Sequence, residues 1–387
     1  MRGRHLRTCQ TEDARVPMQM TLLRCALQET APRVLLHHTA RRLPNPYSRS
    51  TSPWRAAKIA LRDEGFLTRN PSHLLAEKSI LLCGEGDFSF ARAMIGSADR
   101  DGIFETKSMR VTATSYEPVE EIEKVWGGAE NLRALRSVEG VELLHNIDAT
   151  GLDASFAGRK WDHICFMFPH IPGKGRISLN RELLAGFFRA ATAVLAPGGA
   201  VEVALVAGQG GTPSDGDARR EYGNTWQAAI QAAEGGLVLI DTAHFDAEAW
   251  ESRGYRSRGH WRGLTRERSF QVRDGVVHLF RREGELGDAK CPAPVPHIRD
   301  ISFWVDLERF EESTLLHVVS DSAGVGVDVT DVKTLEEHVH SDGRLSRTIR
   351  VTYSSTTLAY TRQCANVSQF ALRDALEEGR VRGAILR

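Results

Sequence analysis

The sequence predicts a doubly wound α/β sheet followed by a smaller second domain, and three observations carry that prediction. An apolar run, Ile80-Leu81-Leu82-Cys83, enters the turn Gly84-Glu85-Gly86-Asp87, from which a helix opens at Phe88. Strand-like apolar runs then alternate with helical patterns as far as residue 283. A stretch rich in Pro and Gly, Gly284 to Pro296, ends the alternation and precedes a further segment of about 90 residues. Alternating strands and helices imply a parallel sheet, and the Pro/Gly stretch reads as a linker. The glycine turn is where such a sheet holds a nucleotide-like cofactor. Glycine lets the backbone approach the ligand, and the amides that open the helix supply donors and the positive end of a dipole.

In chain order, the first strand ends at Cys83 and a helix starts at Phe88. A strand follows at Val111 to Ser115, then helices over Val119 to Arg136 and a strand at Val141 to Leu144. Next come a strand at His163 to Phe168, a long helix from Leu179 to Leu195 stopped by Pro197-Gly198-Gly199, and a strand from Ala200 to Val206. A helix at Asn224 to Glu234, a strand at Leu237 to Asp241 and a hairpin around Asp274-Gly275 close this part. The expected organisation is a basic extension at 1–62, the sheet domain at 63–283, the linker at 284–295 and the second domain at 296–387.

Length allows two domains and an extension. Formal net charge is zero, yet residues 1–62 hold 12 Lys/Arg against 3 Asp/Glu, residues 63–295 hold 27 against 33, and residues 296–387 hold 11 against 14. The first 60 residues are Arg-rich and acid-poor, with Ser and Thr near Tyr47-Ser48-Arg49-Ser50-Thr51-Ser52. That is the composition of a mitochondrial transit peptide, with Met18 or Met20 as alternative starts. A basic tail that touches RNA by charge alone is the competing reading, and with it a nucleolar or cytoplasmic location. Cys9, Cys25, Cys83, Cys165, Cys291 and Cys364 are scattered without a C-x-x-C, which argues against a zinc site and a disulfide framework. No apolar run approaches the ~18 residues of a membrane span, so a soluble protein without a membrane partner is expected.

The glycine turn belongs to a longer signature, Gly84-Glu85-Gly86-Asp87-Phe88-Ser89-Phe90. A second signature follows at Trp161-Asp162-His163-Ile164-Cys165-Phe166-Met167-Phe168-Pro169-His170, with Gly173-Lys174 and Asn180-Arg181-Glu182-Leu183-Leu184 after it. Together these resemble the rRNA uridine-N3-methyltransferase-like family over roughly residues 78 to 282. The resemblance implies a Rossmann-like class I methyltransferase sheet of seven strands, the last antiparallel, with S-adenosylmethionine as cofactor. The segment opening with Pro296-His297-Ile298-Arg299-Asp300-Ile301-Ser302-Phe303-Trp304-Val305 is similar to the ferredoxin-fold anticodon-binding domain that ends phenylalanyl-tRNA synthetase. So are its strand Arg347 to Tyr353, its helix Val367 to Glu378 and its end Ile385-Leu386-Arg387. That likeness implies a ferredoxin-like α+β domain in the order β-α-β-β-α-β. The two halves in this order resemble a known two-domain family.

If the family's cofactor binds, its methionine end lies over Gly84, Glu85, Gly86 and Asp87, with Phe88 and Ser89 at the helix start. Glu117 stands at the end of the second strand, where an acid takes the ribose hydroxyls. It lies 31 residues beyond Gly86, further than the ~20 of a compact dinucleotide unit, and Ser97 to Lys107 looks like the insert responsible. Asp148, next to Ala149, follows the third strand, where methyltransferases place an acid against the adenine amino group. The competing reading of each acid is a solvated loop carboxylate or a helix cap.

Phe168, Pro169 and His170 end the fourth strand at the switch-point crevice, where a methyl acceptor enters. Uridine N3 carries a weakly acidic proton, so a nearby base and an aromatic face for the flipped base suit the chemistry. His170 is the candidate base and Phe168 the stacking surface, set against a turn-capping His and a core Phe. The family commonly has Asn where this chain has Met167, and a thioether cannot replace an amide's donors and acceptor. Phosphate contacts need cations. Lys174, Arg176 and Arg181 flank the acceptor site. Arg253, Arg256, Arg258, Arg262, Arg266 and Arg268 interleave with Tyr255, Trp261 and Phe270, a mix that suits RNA, unless it is only a solvated face.

Two functions follow. One is an S-adenosylmethionine-dependent RNA methyltransferase acting on rRNA uridine N3 within a pre-ribosomal particle, with the C-terminal domain docking RNA or ribosomal and assembly proteins. The other is a non-catalytic RNA-binding assembly factor of the mitochondrial ribosome, to which Met167 and the acidic C-terminal domain point.

Overall fold

The computed structural model describes residues 65–69, 71, 74–75, 78–100, 110–124, 127–171, 176–257 and 272–387, all within the compact unit Pro46–Arg387. The first part runs β1 (Ser79–Cys83), α1 (Ser89–Arg100), β2 (Arg110–Thr114), α2 (Val119–Lys124), α3 (Ala129–Arg136), β3 (Val141–Leu144), α4 (Leu152–Ser155) and β4 (Trp161–Met167). It continues with α5 (Ile177–Val194), β5 (Leu195–Leu205), α6 (Ala228–Ala233), β6 (Leu237–His244), α7 (Ala247–Ser252) and β7 (Val276–Arg282). The seven strands form one sheet in the order β3-β2-β1-β4-β5-β7-β6. β7 runs antiparallel to β5 and β6, whereas β1 pairs in parallel with β2 and β4. Chain order reverses between β1 and β4, and the crevice beyond their carboxyl ends is the expected ligand position.

Both sheet faces are covered. Side chains alternate along a strand, so Ile80 and Leu82 of β1 pack with Phe90, Met94 and Leu132 on one side. Leu81 and Cys83 pack with Phe187 and Phe188 of α5 on the other. Burial on both faces explains why these strands read as unbroken apolar runs. Phe66, Leu67, Leu74 and Leu75, upstream of β1, also belong to the first core. Glu202, in the middle of β5 and 0 % exposed, holds that segment in place. Its carboxylate accepts the amides of Leu67 at 2.7 Å and Thr68 at 3.1 Å and lies 3.0 Å from His163 Nε2.

Three local expectations change. Pro197-Gly198-Gly199 does not separate helix from strand: α5 passes directly into β5, Leu195 pairs with Trp161 and Ala200 with His163, and the Pro-Gly-Gly stretch bulges inside the ladder. The helix expected over Asn224 to Glu234 is confined to α6, because the Gln227 backbone is left-handed at φ +56°. Ser97 to Arg100, read as part of an insert, extend α1; residues 101–107 of that insert lie outside the described residues.

The second part runs β8 (His297–Val305), α8 (Glu312–Ala323), β9 (Asp328–Val339), β10 (Leu345–Ser354), α9 (Arg362–Glu377) and β11 (Ala384–Leu386). Its antiparallel sheet has the order β11-β8-β10-β9, which is the ferredoxin-like α+β arrangement. Ile301, Phe303 and Val305 face the helices, leaving the alternate residues of β8 on the open face. The stretch read as a linker packs down. Leu286 clusters with Ala233, Val238 and Ala359, the Glu283 carboxylate accepts the Ala359 amide at 3.1 Å, and the Cys291 amide donates to the Thr356 carbonyl at 2.7 Å.

Candidate cofactor and acceptor site

The turn after β1 is tight for a local reason. Gly84 has φ +67°, and a Cβ there would lie 2.5 Å from the Phe166 ring, so both backbone and neighbour demand glycine. The Glu85 amide bonds the Thr114 carbonyl of β2 at 2.8 Å, fixing the turn to the adjacent strand. The amides opening α1 do not face outward as the sequence suggested. The Asp87 carboxylate accepts the Ser89 amide at 2.9 Å and the Glu85 carboxylate accepts the Ala91 amide at 3.3 Å. The two motif acids, each 6 % exposed, thus cap the helix themselves. A ligand therefore finds these two amides already occupied and the Asp87 carboxylate beside them, which favours a cationic group over a phosphate. Burial pushes the Glu85 carboxyl up to about 8 against its ordinary 4.5; the Ala91 amide opposes this and Asp87 adds to it.

Two members of the turn are engaged elsewhere. Phe88 has φ +61° and is 0 % exposed, its ring edge-on to His145 at 5.4 Å. Ser89 Oγ accepts the Arg256 amide at 2.9 Å and donates to the Arg256 carbonyl at 3.2 Å. The surface of the turn is Gly84 and the half-buried Gly86.

At the end of β2, Glu117 is half-buried and its carboxyl is raised above the ordinary range by burial. Ser115 Oγ bonds the Glu117 carbonyl at 2.9 Å and lies 2.8 Å from His145 Nδ1. Nothing in sequence singled out His145, a lone histidine after β3. Asp148 caps a short 3-10 turn: its Oδ1 accepts the Thr150 amide and hydroxyl, both at 2.8 Å, while Ala149 is buried. The helix-cap alternative therefore describes the Asp148 geometry.

At the end of β4, the stacking role expected of Phe168 needs correction. Phe168 is left-handed at φ +50°, its amide bonds the Ala204 carbonyl at 2.9 Å, and its ring is 8 % exposed against Phe245 at 5.1 Å. It is a core residue whose ring offers no open face to a base. Pro169 is buried and His170 half-buried, with the His170 ring 6.0 Å from that of Trp226. Met167 is half-buried, and its sulfur accepts the Cys165 thiol at 3.4 Å. Opposite His170, the loop after β5 folds around Asp215, whose carboxylate accepts the amides of Gly208, Gly211 and Thr212 at 2.8 to 3.1 Å.

The arginines proposed for RNA divide. Arg181 bonds the carbonyls of Thr225 and Gly223, Arg256 those of Glu251 and Tyr255, and Arg253 lies over Trp250 at 5.1 Å. Arg176 is exposed. Lys174, Arg258 and Trp261 lie outside the described residues, as do Arg262, Arg266, Arg268 and Phe270. Sequence reading missed a group on the second sheet. Trp304 has Arg344 over its ring at 4.0 Å and Arg387 at 5.3 Å, with His340 at 4.7 Å and His338 beyond it. A cavity of about 520 Å³ lined by Arg110, Glu142, Arg159 and Trp161 lies at the amino ends of the parallel strands, away from the crevice.

A family model described as rRNA (uridine-N3-)-methyltransferase BTM5-like, the BMT5-like family, matches residues 81–259. The human "Ferredoxin-fold anticodon-binding domain-containing protein 1" is 38% identical over 213 residues, 54% of this chain and 31% of its own length. Its mouse homolog is 38% identical over 208 residues, 52% of this chain and 31% of its own length. The chain thus spans about a third of the length of these curated relatives. Among solved structures, a putative rRNA-methylase from Clostridium thermocellum is 12% identical with a TM-score of 0.33, covering 56% of this chain and 96% of that one. The names of both curated relatives carry the ferredoxin-fold anticodon-binding domain that the C-terminal segment resembles. The glycine turn after β1 and the Phe168-Pro169-His170 end of β4 both fall inside the range, 81–259, over which the chain is similar to the BMT5-like methyltransferase family.

Proposed function

We propose that this protein binds S-adenosylmethionine at the carboxyl ends of β1 to β3 and methylates rRNA at uridine N3. The observation that carries the reading is the self-capped acidic turn. Glu85 and Asp87 close the start of α1 themselves, so the Ser89 and Ala91 amides are not offered to a pyrophosphate, and the Asp87 carboxylate suits a cofactor bearing an ammonium and a sulfonium. In this reading Glu117 takes the ribose hydroxyls, and the Asp148–Ala149 turn meets the adenine edge. When bound, the cofactor supplies an electrophilic methyl group. His170 at the end of β4 accepts the N3 proton as the base attacks. RNA contacts fall to Lys174, Arg176, Arg258, Trp261 and the open face of the second sheet, whose domain docks the RNA or a ribosomal protein. The basic extension is a mitochondrial address, and its residues 1 to 60 fused to a fluorescent reporter enter mitochondria; a purely cytosolic or nucleolar signal removes that part.

Calorimetry with S-adenosylmethionine tests the cofactor site. Wild-type protein binds, and Gly86→Val abolishes binding while keeping a cooperative thermal transition, because a branched side chain fills the space over the turn. No heat and no thermal shift at millimolar ligand overturn the proposal. A second reading rests on Met167. Where the family amide could bond the acceptor base, this chain has a thioether already accepting from Cys165. Binding of the cofactor without methyl transfer to ribosomal RNA favours this reading, an assembly factor that keeps the fold.

A further inference from the structure

One turn of α5 reaches both sides of His170. Asn180, 3 % exposed, accepts the Ile171 amide through Oδ1 at 2.8 Å and donates through Nδ2 to the Arg176 carbonyl at 2.8 Å. It thereby ties the residue after His170 to the residue that opens α5. The next residue, Arg181, works on the facing turn. Its Nε donates to the Thr225 carbonyl at 2.9 Å, and its Nη2 to the same carbonyl at 2.6 Å and to that of Gly223 at 2.8 Å.

That turn is set on every side. Thr225 is 0 % exposed, its hydroxyl donates to the Tyr222 carbonyl at 2.9 Å, and Gln227 is left-handed. The Trp226 amide donates to Gln209 in the loop after β5 at 2.7 Å. Trp226, 5 % exposed, brings its ring to 6.0 Å from His170. Charge alone does not explain Arg181, because a lysine ammonium cannot reproduce a planar fork donating to two carbonyls.

We propose that Asn180 and Arg181 are positioning residues of the acceptor end of the crevice, together setting His170 against Trp226, and that Arg181 does not contact RNA phosphate. The inference rests on the reading of His170 as the acceptor-side base, yet its test does not need methyl transfer. Aromatic ring currents make the ε1 proton resonance of His170 a reporter of its separation from Trp226, and Trp226→Phe identifies the shift.

In Arg181→Lys, with the charge kept, the His170 resonance moves, while the salt dependence of RNA binding keeps the wild-type slope. Asn180→Leu, which is close in volume, adds no charge and loses both the acceptor for the Ile171 amide and the donor to the Arg176 carbonyl, moves the same resonance. An unmoved His170 in both variants overturns the proposal. So does a slope shallower by about one unit in Arg181→Gln but wild-type in Arg181→Lys, the signature of a phosphate contact. If Arg181→Lys does not fold, Asn180→Leu decides by the same resonance. Methyl transfer undiminished in His170→Ala together with a moved resonance in Arg181→Lys removes the base reading and leaves the positioning intact.

Discussion

Arginine is held in two contrasting ways in this chain, and each domain supplies examples of one of them close to a candidate binding surface. Three guanidiniums of the sheet domain turn toward backbone carbonyls, Arg181 to Thr225 and Gly223, Arg256 to Glu251 and Tyr255, and Arg282 to Thr192, Leu195 and Ala196, while Arg92 and Arg159 pair with Glu130 and Glu142. On the sheet of the ferredoxin-like domain two others meet carboxylates and a ring: Arg350 pairs with Asp300, and Arg344 pairs with Asp342 and lies over Trp304. A backbone carbonyl has a fixed position and is left short of a donor when the arginine leaves. An exposed carboxylate is solvated at once, and such a pair contributes only about 0–1 kcal/mol. A phosphate can therefore recruit the second kind of arginine far more readily than the first. Cation density along a sequence does not report which kind is present, so the dense cluster around Arg253 and Arg256 drew more attention than the sparse one around Trp304.

The comparison extends to acids, and the largest effect is expected at the most inward one. Glu202→Ala removes the acceptor for the Leu67 and Thr68 amides and the partner of His163, all inside the core. Leaving these buried donors without an acceptor, at about 1–3 kcal/mol for each, costs about 3–5 kcal/mol in all, which corresponds to a fall in Tm of roughly 10 °C for a domain of this size. Asp300→Ala, which breaks the exposed pair with Arg350, should move Tm by no more than about 2 °C. Differential scanning calorimetry of the two variants measures both. Equal shifts would dissolve the distinction between inward and outward charges.

Glu85 gives a smaller and pH-dependent effect. The fold holds its carboxyl protonated up to about 8, whereas an ordinary glutamate ionises near 4.5. The folded chain therefore binds a proton that the unfolded chain has released, and its stability contribution is full below 4.5 and is lost as pH rises through about 8. Without ligand, wild-type Tm should decline between these values by several degrees. Glu85→Gln, which keeps the acceptor for the Ala91 amide and cannot ionise, should decline less and match or exceed wild type at pH 9. A Glu85→Gln profile parallel to wild type would show that Glu85 is ionised in the ligand-free fold.

How much of this was legible depends on the kind of interaction. Strand positions follow from apolar runs and glycine turns, which are local, so β3 falls on the expected residues, and the β-α-β-β-α-β order that the resemblance implied for the second domain holds. The motif residues likewise gather at the carboxyl ends of β1 to β4. Side-chain direction was not legible, because it depends on partners far apart in the chain. The left-handed backbone at Phe168 turns an apparent stacking ring into core. The helix amides expected to face a ligand are taken by Asp87 and Glu85, a contact visible only once the turn is folded. Asn180 and Arg181 stood inside a quoted motif, yet their tasks depend on residues 171 and 225.

The smallest effect on stability should carry the largest effect on RNA. Trp304 is half-buried on the open face of the second sheet, ringed by Arg344, Arg387, His340 and His338. Trp304→Ala removes a surface on which a base can stack, worth about 1–3 kcal/mol per base, and leaves the core of Ile301, Phe303 and Val305 on the opposite face untouched. Arg344→Ala removes one cation that is paired only at the surface, its side chain 61% exposed, so the dependence of log affinity on log salt should flatten by about one unit. Arg256→Ala should lower Tm slightly and leave that slope unchanged, since its guanidinium already serves the Glu251 and Tyr255 carbonyls. Filter binding of a single-stranded rRNA fragment at several salt concentrations separates the outcomes. A flatter slope in Arg256→Ala together with a wild-type slope in Arg344→Ala reverses the assignment. It would place RNA on the sheet domain and leave the Trp304 group to a protein partner, whose binding would show little dependence on salt.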